Sequence, residues 1–114
     1  MWEIELPWPP SLNSHKTVAR GRMILSKKGR EYIKACQGAV NTLYMQKISG
    51  DLSVKLFLYP PDGRQRDIDN YLKAVFDAMT HAGVWIDDIQ VKQLYVEMRD
   101  KIKGGKAVIE INQI

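Results

Sequence analysis

The sequence has a single cysteine, Cys36, among 114 residues. A lone thiol builds no disulfide framework and no cysteine-based zinc centre, and it fits a reducing, cytoplasmic setting. Histidine is almost as scarce. His15 and His81 are the only two, nothing pairs them at metal-ligand spacing, and both are expected at the surface or in loops. Long apolar runs are missing too. No stretch reaches the ~20 residues that cross a bilayer. The N-terminus lacks the pattern of a signal peptide, so no membrane partner is expected. Internal repeats, low-complexity segments and linkers are absent, and the length suits one domain over residues 1–114.

What is present is an ordinary globular composition, 45% hydrophobic and 26% charged. The net charge of +4 is unevenly spread. Between Ser11 and Lys34, the basic residues Lys16, Arg20, Arg22, Lys27, Lys28, Arg30 and Lys34 meet one acid, Glu31. Arg99, Lys101, Lys103 and Lys106 form a second basic cluster around Asp100. Excesses of this kind attract polyanions, although a run of lysines is more often just solvated surface.

The alternation in "WEIELPW" (Trp2 to Trp8) predicts a strand that ends at "PWPPS", because proline cannot donate to a ladder. Residues 11–25 hold no sustained period and read as a basic, mobile loop. Ser26 is the expected N-cap of a helix running to about Lys47, with Ile33, Cys36, Val40, Leu43 and Tyr44 as its buried stripe. "SVKLFLY" predicts a second strand, and "PPDGRQR" a loop. A second helix is expected over about Asn70 to Ala82, carried by Leu72, Val75, Phe76 and Met79 and ended by Gly83. "VKQLYVEM" and "AVIEINQI" complete the strands, joined by a turn at "KGGK". The order predicts an α+β fold, two helices on a mixed sheet of about four to five strands.

The acids in "RQRDIDNYLKAVFDAM" (Arg64 to Met79) exceed what a helix start requires. Asp69 is the natural N-cap. Lys73 lies four residues further on, on the same helix face. Asp87 and Asp88 follow in "GVWIDDIQV", close enough in sequence to return toward that helix. Carboxylates from separate segments beside a lysine suit metal-assisted phosphodiester hydrolysis, because hard cations such as Mg²⁺ take oxygen ligands. The plainer alternatives are a cap at Asp69, a surface ion pair from Asp69 to Lys73, and turn residues at Asp87 and Asp88. Cys36 and Trp85 are expected in the core.

These segments together resemble the RusA family of Holliday junction resolvases. "LPWPPSLN" is similar to the family's opening motif, and "RGR" with "LSKKGREY" to its basic loop and first helix. "RDIDNYLKAVFDAM" resembles its central Asp-x-Asp-Asn-x-x-Lys motif, "AGVWIDDIQV" its third acidic segment, and "KGGKAVIEI" its closing turn and strand. The resemblance spans almost the whole chain. It implies a homodimer that resolves four-way DNA junctions by paired nicks in recombination and repair, inside a bacterial or phage-infected cell. It implies Mg²⁺ as cofactor, with Mn²⁺ a possible substitute. The metal aspartates fall on Asp67, Asp69 and Asp88, and the catalytic lysine on Lys73. Lys16, Arg20, Arg22, Lys27, Lys28, Arg64 and Arg66 are the expected DNA contacts. The roles of Asn70 and Asp87 stay open. The competing readings are another structure-selective nuclease, acting on flaps or forks, and a non-catalytic DNA-binding protein.

Overall fold

The computed structural model describes residues 1–114. In chain order its elements are β1 (Trp2–Pro7), α1 (Leu12–His15), β2 (Lys16–Ala19), β3 (Arg22–Leu25), α2 (Lys27–Asn41), β4 (Leu52–Tyr59), α3 (Leu72–His81), β5 (Val91–Met98) and β6 (Lys106–Gln113). Four strands form one mixed sheet in the order β1-β6-β4-β5, and β2 and β3 form a separate hairpin. The expected α+β class and the two longer helices on a four-stranded sheet are therefore present.

Period-two patterning builds the sheet. β1 buries Ile4 and Leu6 and turns Glu3 and Glu5 outward. Antiparallel register aligns Ile4 with Ile109 and Ile109 with Leu56, so three strands contribute one apolar row. A parallel row above β5 pairs Leu56 with Val96. On the same side, α2 buries Tyr32, Cys36 and Val40, and α3 buries Ala74, Val75, Ala78 and Met79. These residues share one core cluster. Each large aliphatic side chain taken from water there contributes roughly 1.5–3 kcal/mol. Burial also pushes the Cys36 thiol up to about 11, which fits a core residue and not a nucleophile.

The other face of the sheet carries no helix. It presents Phe57, Tyr59 and Tyr95, with the Arg99 guanidinium 4.0 Å from the Phe57 ring centre. No helix is long and apolar enough to cross a membrane.

Three expectations need correction. Residues 11–25 are not an irregular loop: they form α1 and the β2–β3 hairpin. Its two turn residues, Arg20 and Gly21, have φ of 53° and 72°, the sign pattern of a primed hairpin turn. The first long helix stops at Asn41 rather than near Lys47. Thr42 caps it, and Tyr44 takes a φ of 50° that ends the helical path. Leu43 and Tyr44 consequently lie exposed instead of extending the buried stripe. Ser26 does cap α2, its hydroxyl accepting from the Gly29 N–H at 3.0 Å.

The parallel pairing of β4 and β5 has a consequence for function. Parallel neighbours need a long crossover, usually through a helix. Residues 60–90 supply it, and they carry Asp62, Asp67, Asp69, Asp77, Asp87 and Asp88 as well as Lys73.

Candidate active site and nucleic-acid interface

The crossover starts in a loop tied together by one acid. Asp62 accepts from the Arg64 side chain at 3.2 Å and from Arg66 at 2.7 Å. Arg66 also donates to the Asp62 and Arg64 carbonyls and lies over the Trp8 ring. The Arg64 and Arg66 hydrogen bonds hold the Asp62 carboxyl well below the usual carboxylate range. Arg66 is thus committed within the loop, its side chain only 8% exposed, whereas Arg64 stays open to solvent.

Asp67 and Asp69 come next, at a single 3₁₀ turn over Ile68–Tyr71 that leads into α3. Asp67 occupies the N-cap position of that turn, yet its side chain makes no capping hydrogen bond. Asp69 lies inside the turn, and the residue that caps α3 is Tyr71. The expectation that Asp69 caps the helix is therefore wrong: the tighter turn moves the helix start two residues along, from Asn70 to Leu72. Both carboxylates are exposed and have no protein partner. Asn70 contributes its backbone N–H to the Asp67 carbonyl at 3.1 Å. Asp67 and Asn70 line an open depression together with Arg64 and Arg66. A groove lined by Trp8, Tyr32, Tyr71 and Lys28 adjoins it through the same two arginines.

Lys73 does not pair back to Asp69. Its Nζ lies 3.1 Å from Asp77 Oδ1, one helical turn forward. Asp77 is the residue that the sequence reading missed. Its other oxygen is 2.9 Å from His15 Nε2 and 3.4 Å from Lys16 Nζ. Burial opposes the charge on Asp77, but the His15 and Lys73 hydrogen bonds and the Lys73 and Lys16 charges outweigh it and lower its pKa. His15 itself is fully buried, against the expectation of a surface or loop histidine, while His81 is exposed as expected. The i,i+4 spacing of Lys73 and Asp77 was a readable signal. The 62-residue separation of His15 from Asp77 was not.

The crossover ends at a second 3₁₀ turn, Asp88–Gln90. Here Asp87 is a true cap, accepting from the Ile89 N–H at 3.0 Å. Gln90 reciprocates, accepting from the Asp87 N–H at 3.1 Å, and its amide donates to the Ile48 and Gly50 carbonyls. This fixes Asp88 in place. Desolvation and the Asp87 hydrogen bond raise the Asp88 pKa, the Lys73 charge lowers it, and the Asp87 and Asp77 charges raise it further. Asp88 and Lys73 therefore share one electrostatic neighbourhood. Trp85 is core, as expected, with its ring N–H donating to Thr80 at 2.8 Å.

No group of three His, Cys, Asp or Glu side chains is placed so that together they could hold a cation, and the expected set Asp67, Asp69 and Asp88 is therefore not gathered as one. The donor chemistry still fits a hard cation. Mg²⁺ is commonly held by one or two carboxylates with waters and substrate phosphate completing its shell. Asp67 and Asp69 offer unengaged oxygens of that type, and Asp88 is an acid held beside another acid.

The basic residues divide by position. Arg20 and Arg22 stand exposed at the hairpin tip, and Lys27 and Lys28 stand exposed on the first turn of α2. Lys16, at the hairpin foot, is drawn to Asp77.

Comparison with known proteins adds the deciding observation. Residues 7–112 match the family described as Endodeoxyribonuclease RusA. The chain belongs to the RusA family. It is 35% identical over 114 residues to the crossover junction endodeoxyribonuclease RusA of Escherichia coli strain K12, covering 99% of this chain and 95% of that protein. The same identity and coverage hold for the protein of that name from Shigella sonnei strain Ss046. The corresponding protein of Enterobacteria phage 82 is 34% identical over 117 residues, with the same shares covered. The family is one of endodeoxyribonucleases, so the acidic crossover and the basic hairpin are to be read as parts of a DNA-cleaving enzyme.

Proposed function

We propose that this RusA-family endonuclease cleaves four-way DNA junctions with a divalent cation, Mg²⁺ or in its place Mn²⁺, in DNA recombination and repair. The observation that carries the reading is the pair of unengaged carboxylates at the start of α3, Asp69 four residues and Asp67 six residues before Lys73. Asp67, Asp69 and Asp88 are the residues that would hold the cation. When bound, it would polarise the scissile phosphate and favour hydroxide over water. Lys73 offsets negative charge that develops on the phosphate oxygens. Arg20, Arg22, Lys27, Lys28 and Arg64 contact phosphates, which gives affinity without base specificity. Arg66 supports this by holding the loop that displays Arg64.

A homodimer completes the proposal. Two nicks in one junction need two sites, and a twofold axis presents them to two strands at once. The sheet face that carries no helix, on which Tyr95 is exposed, supports pairing with a second copy.

The test is cleavage of a labelled four-way junction beside a matched linear duplex and a flap, with and without Mg²⁺. The expected result is paired nicks in the junction only, and only with the cation. Preferential cleavage of the flap would assign a different substrate. Junction binding with no cleavage in either Mg²⁺ or Mn²⁺ would make the chain a binding protein.

A further inference from the structure

Asp77 gathers three cationic or hydrogen-donating side chains on two oxygens. Oδ1 receives Lys73 at 3.1 Å, and Oδ2 receives His15 at 2.9 Å and Lys16 at 3.4 Å. A carboxylate here only accepts, so His15 Nε2 carries the hydrogen of that bond. These are the only side-chain bonds that join α3 to the segment holding α1 and the hairpin.

The anchor is rigid on its far side. His15 is fully buried. The Ser26 N–H donates to the His15 carbonyl at 2.9 Å. A Cβ on Gly29 would come within 2.4 Å of that carbonyl oxygen, so α2 packs on His15 with no room to spare. His15 Nδ1 is buried without a partner, an uncompensated polar atom kept in a place where an apolar residue would pack at lower cost. An ordinary exposed i,i+4 pair needs none of this. Asp77 is 15% exposed and Lys73 is 48% exposed, so the pair has one fixed end and one end facing solvent.

We propose that Asp77 is the positioning residue of the cleavage reaction: anchored by His15 and Lys16, it holds the Lys73 ammonium in place and ties it to the foot of the DNA-binding hairpin. This rests on the reading above, in which Lys73 acts on the phosphate. A lysine side chain is long and rotamer-rich, and fixing it before the phosphate arrives removes an ordering cost from the chemical step. Lys16 opens β2, so the hairpin and Lys73 share one fastening point.

The test compares Asp77→Asn, Lys73→Ala and wild type by single-turnover nicking at saturating junction, with junction binding and thermal unfolding measured on the same preparations. Asp77→Asn keeps the shape and removes the charge. Its rate at saturation is expected to fall roughly tenfold or more while the junction Kd stays within about twofold, a loss confined to the chemical step. If Lys73→Ala is inactive but Asp77→Asn nicks at the wild-type rate, the positioning proposal is overturned and the role of Lys73 stands. The same holds if weaker binding accounts for the whole loss. If Lys73→Ala nicks at the wild-type rate, the role of Lys73 fails and the proposal fails with it. Should Asp77→Asn not fold, His15→Ala and His15→Gln replace it. Glutamine restores a donor toward Asp77, so its rate is expected to exceed that of the alanine variant, and equal rates would overturn the proposal.

Discussion

The two 3₁₀ turns that bracket α3 use their acids in opposite ways. At the exit turn, Asp87 and Gln90 form a reciprocal capping box, and Gln90 also bonds two carbonyls of the segment before β4. At the entry turn, Asp67 holds the equivalent cap position and makes no capping bond, and Asp69 is equally unengaged. An acid kept for the fold is visibly occupied. Asp62 and Asp87 are of that kind. Asp67 and Asp69 leave available local bonds unmade, and Asp88 is held close to a like charge, an arrangement that costs the fold free energy. Acids that do not serve the fold are the ones proposed above to hold the cation.

The largest effect that sharpens this contrast is expected at Asp67 and Asp88. Asp67→Asn and Asp88→Asn should each lower nicking on the order of a hundredfold or more, as loss of a preorganised electrostatic partner does. The stability change of Asp88→Asn should differ in sign from that of a cap variant. The folded pKa of Asp88 is raised, so its charged form carries a penalty that is fully present above that pKa. The penalty disappears as pH falls through the folded and then the unfolded value. At neutral pH, Asp88→Asn should therefore unfold at a higher temperature than wild type, and at pH 3 the gain should vanish. A lower unfolding temperature at neutral pH would mean that Asp88 supports the fold and belongs with Asp87.

The smaller effect lies at the exit turn. Asp87→Ala removes the cap and should cost about 1 kcal/mol in denaturant unfolding. Its nicking should fall far less than that of its neighbour Asp88→Asn. Equal losses at the two positions would erase the distinction between occupied and unoccupied acids.

The sheet and α3 were legible because each buries one face, and burial imprints a period on the sequence: Ile4 and Leu6 in β1, Val54, Leu56 and Leu58 in β4, Val75 and Met79 in α3. The hairpin was not legible because it buries neither face. Val18 and Met23 pair across it while both remain exposed, so no alternation marks the strands. Its turn also places an arginine at positive φ, where asparagine, aspartate or glycine is the usual signal. The end of α2 carried no glycine or proline to announce it. At the site, the motif gave Asp67, Asp69, Lys73 and Asp88 as residues, but local sequence could not say which acid caps which turn. That depended on a 3₁₀ start at Ile68 and on Gln90 reaching residues Ile48 and Gly50. The link from His15 to Asp77 exists only once α1 and α3 are packed together.

The measurement that tests the central claim most directly is made on Asp69→Asn. Junction nicking in Mg²⁺, junction binding and thermal unfolding are recorded on one preparation, beside Asp87→Asn. The Asp69 carboxylate makes no hydrogen bond in the fold, and its backbone bond to the Leu72 N–H survives the substitution, so its replacement should leave the unfolding temperature unchanged. Binding should persist or tighten as a charge that repels phosphate is removed, while nicking falls by orders of magnitude. Nicking by Asp69→Asn at the wild-type rate would contradict the account and leave the unoccupied carboxylates at the entry turn without a part in cleavage.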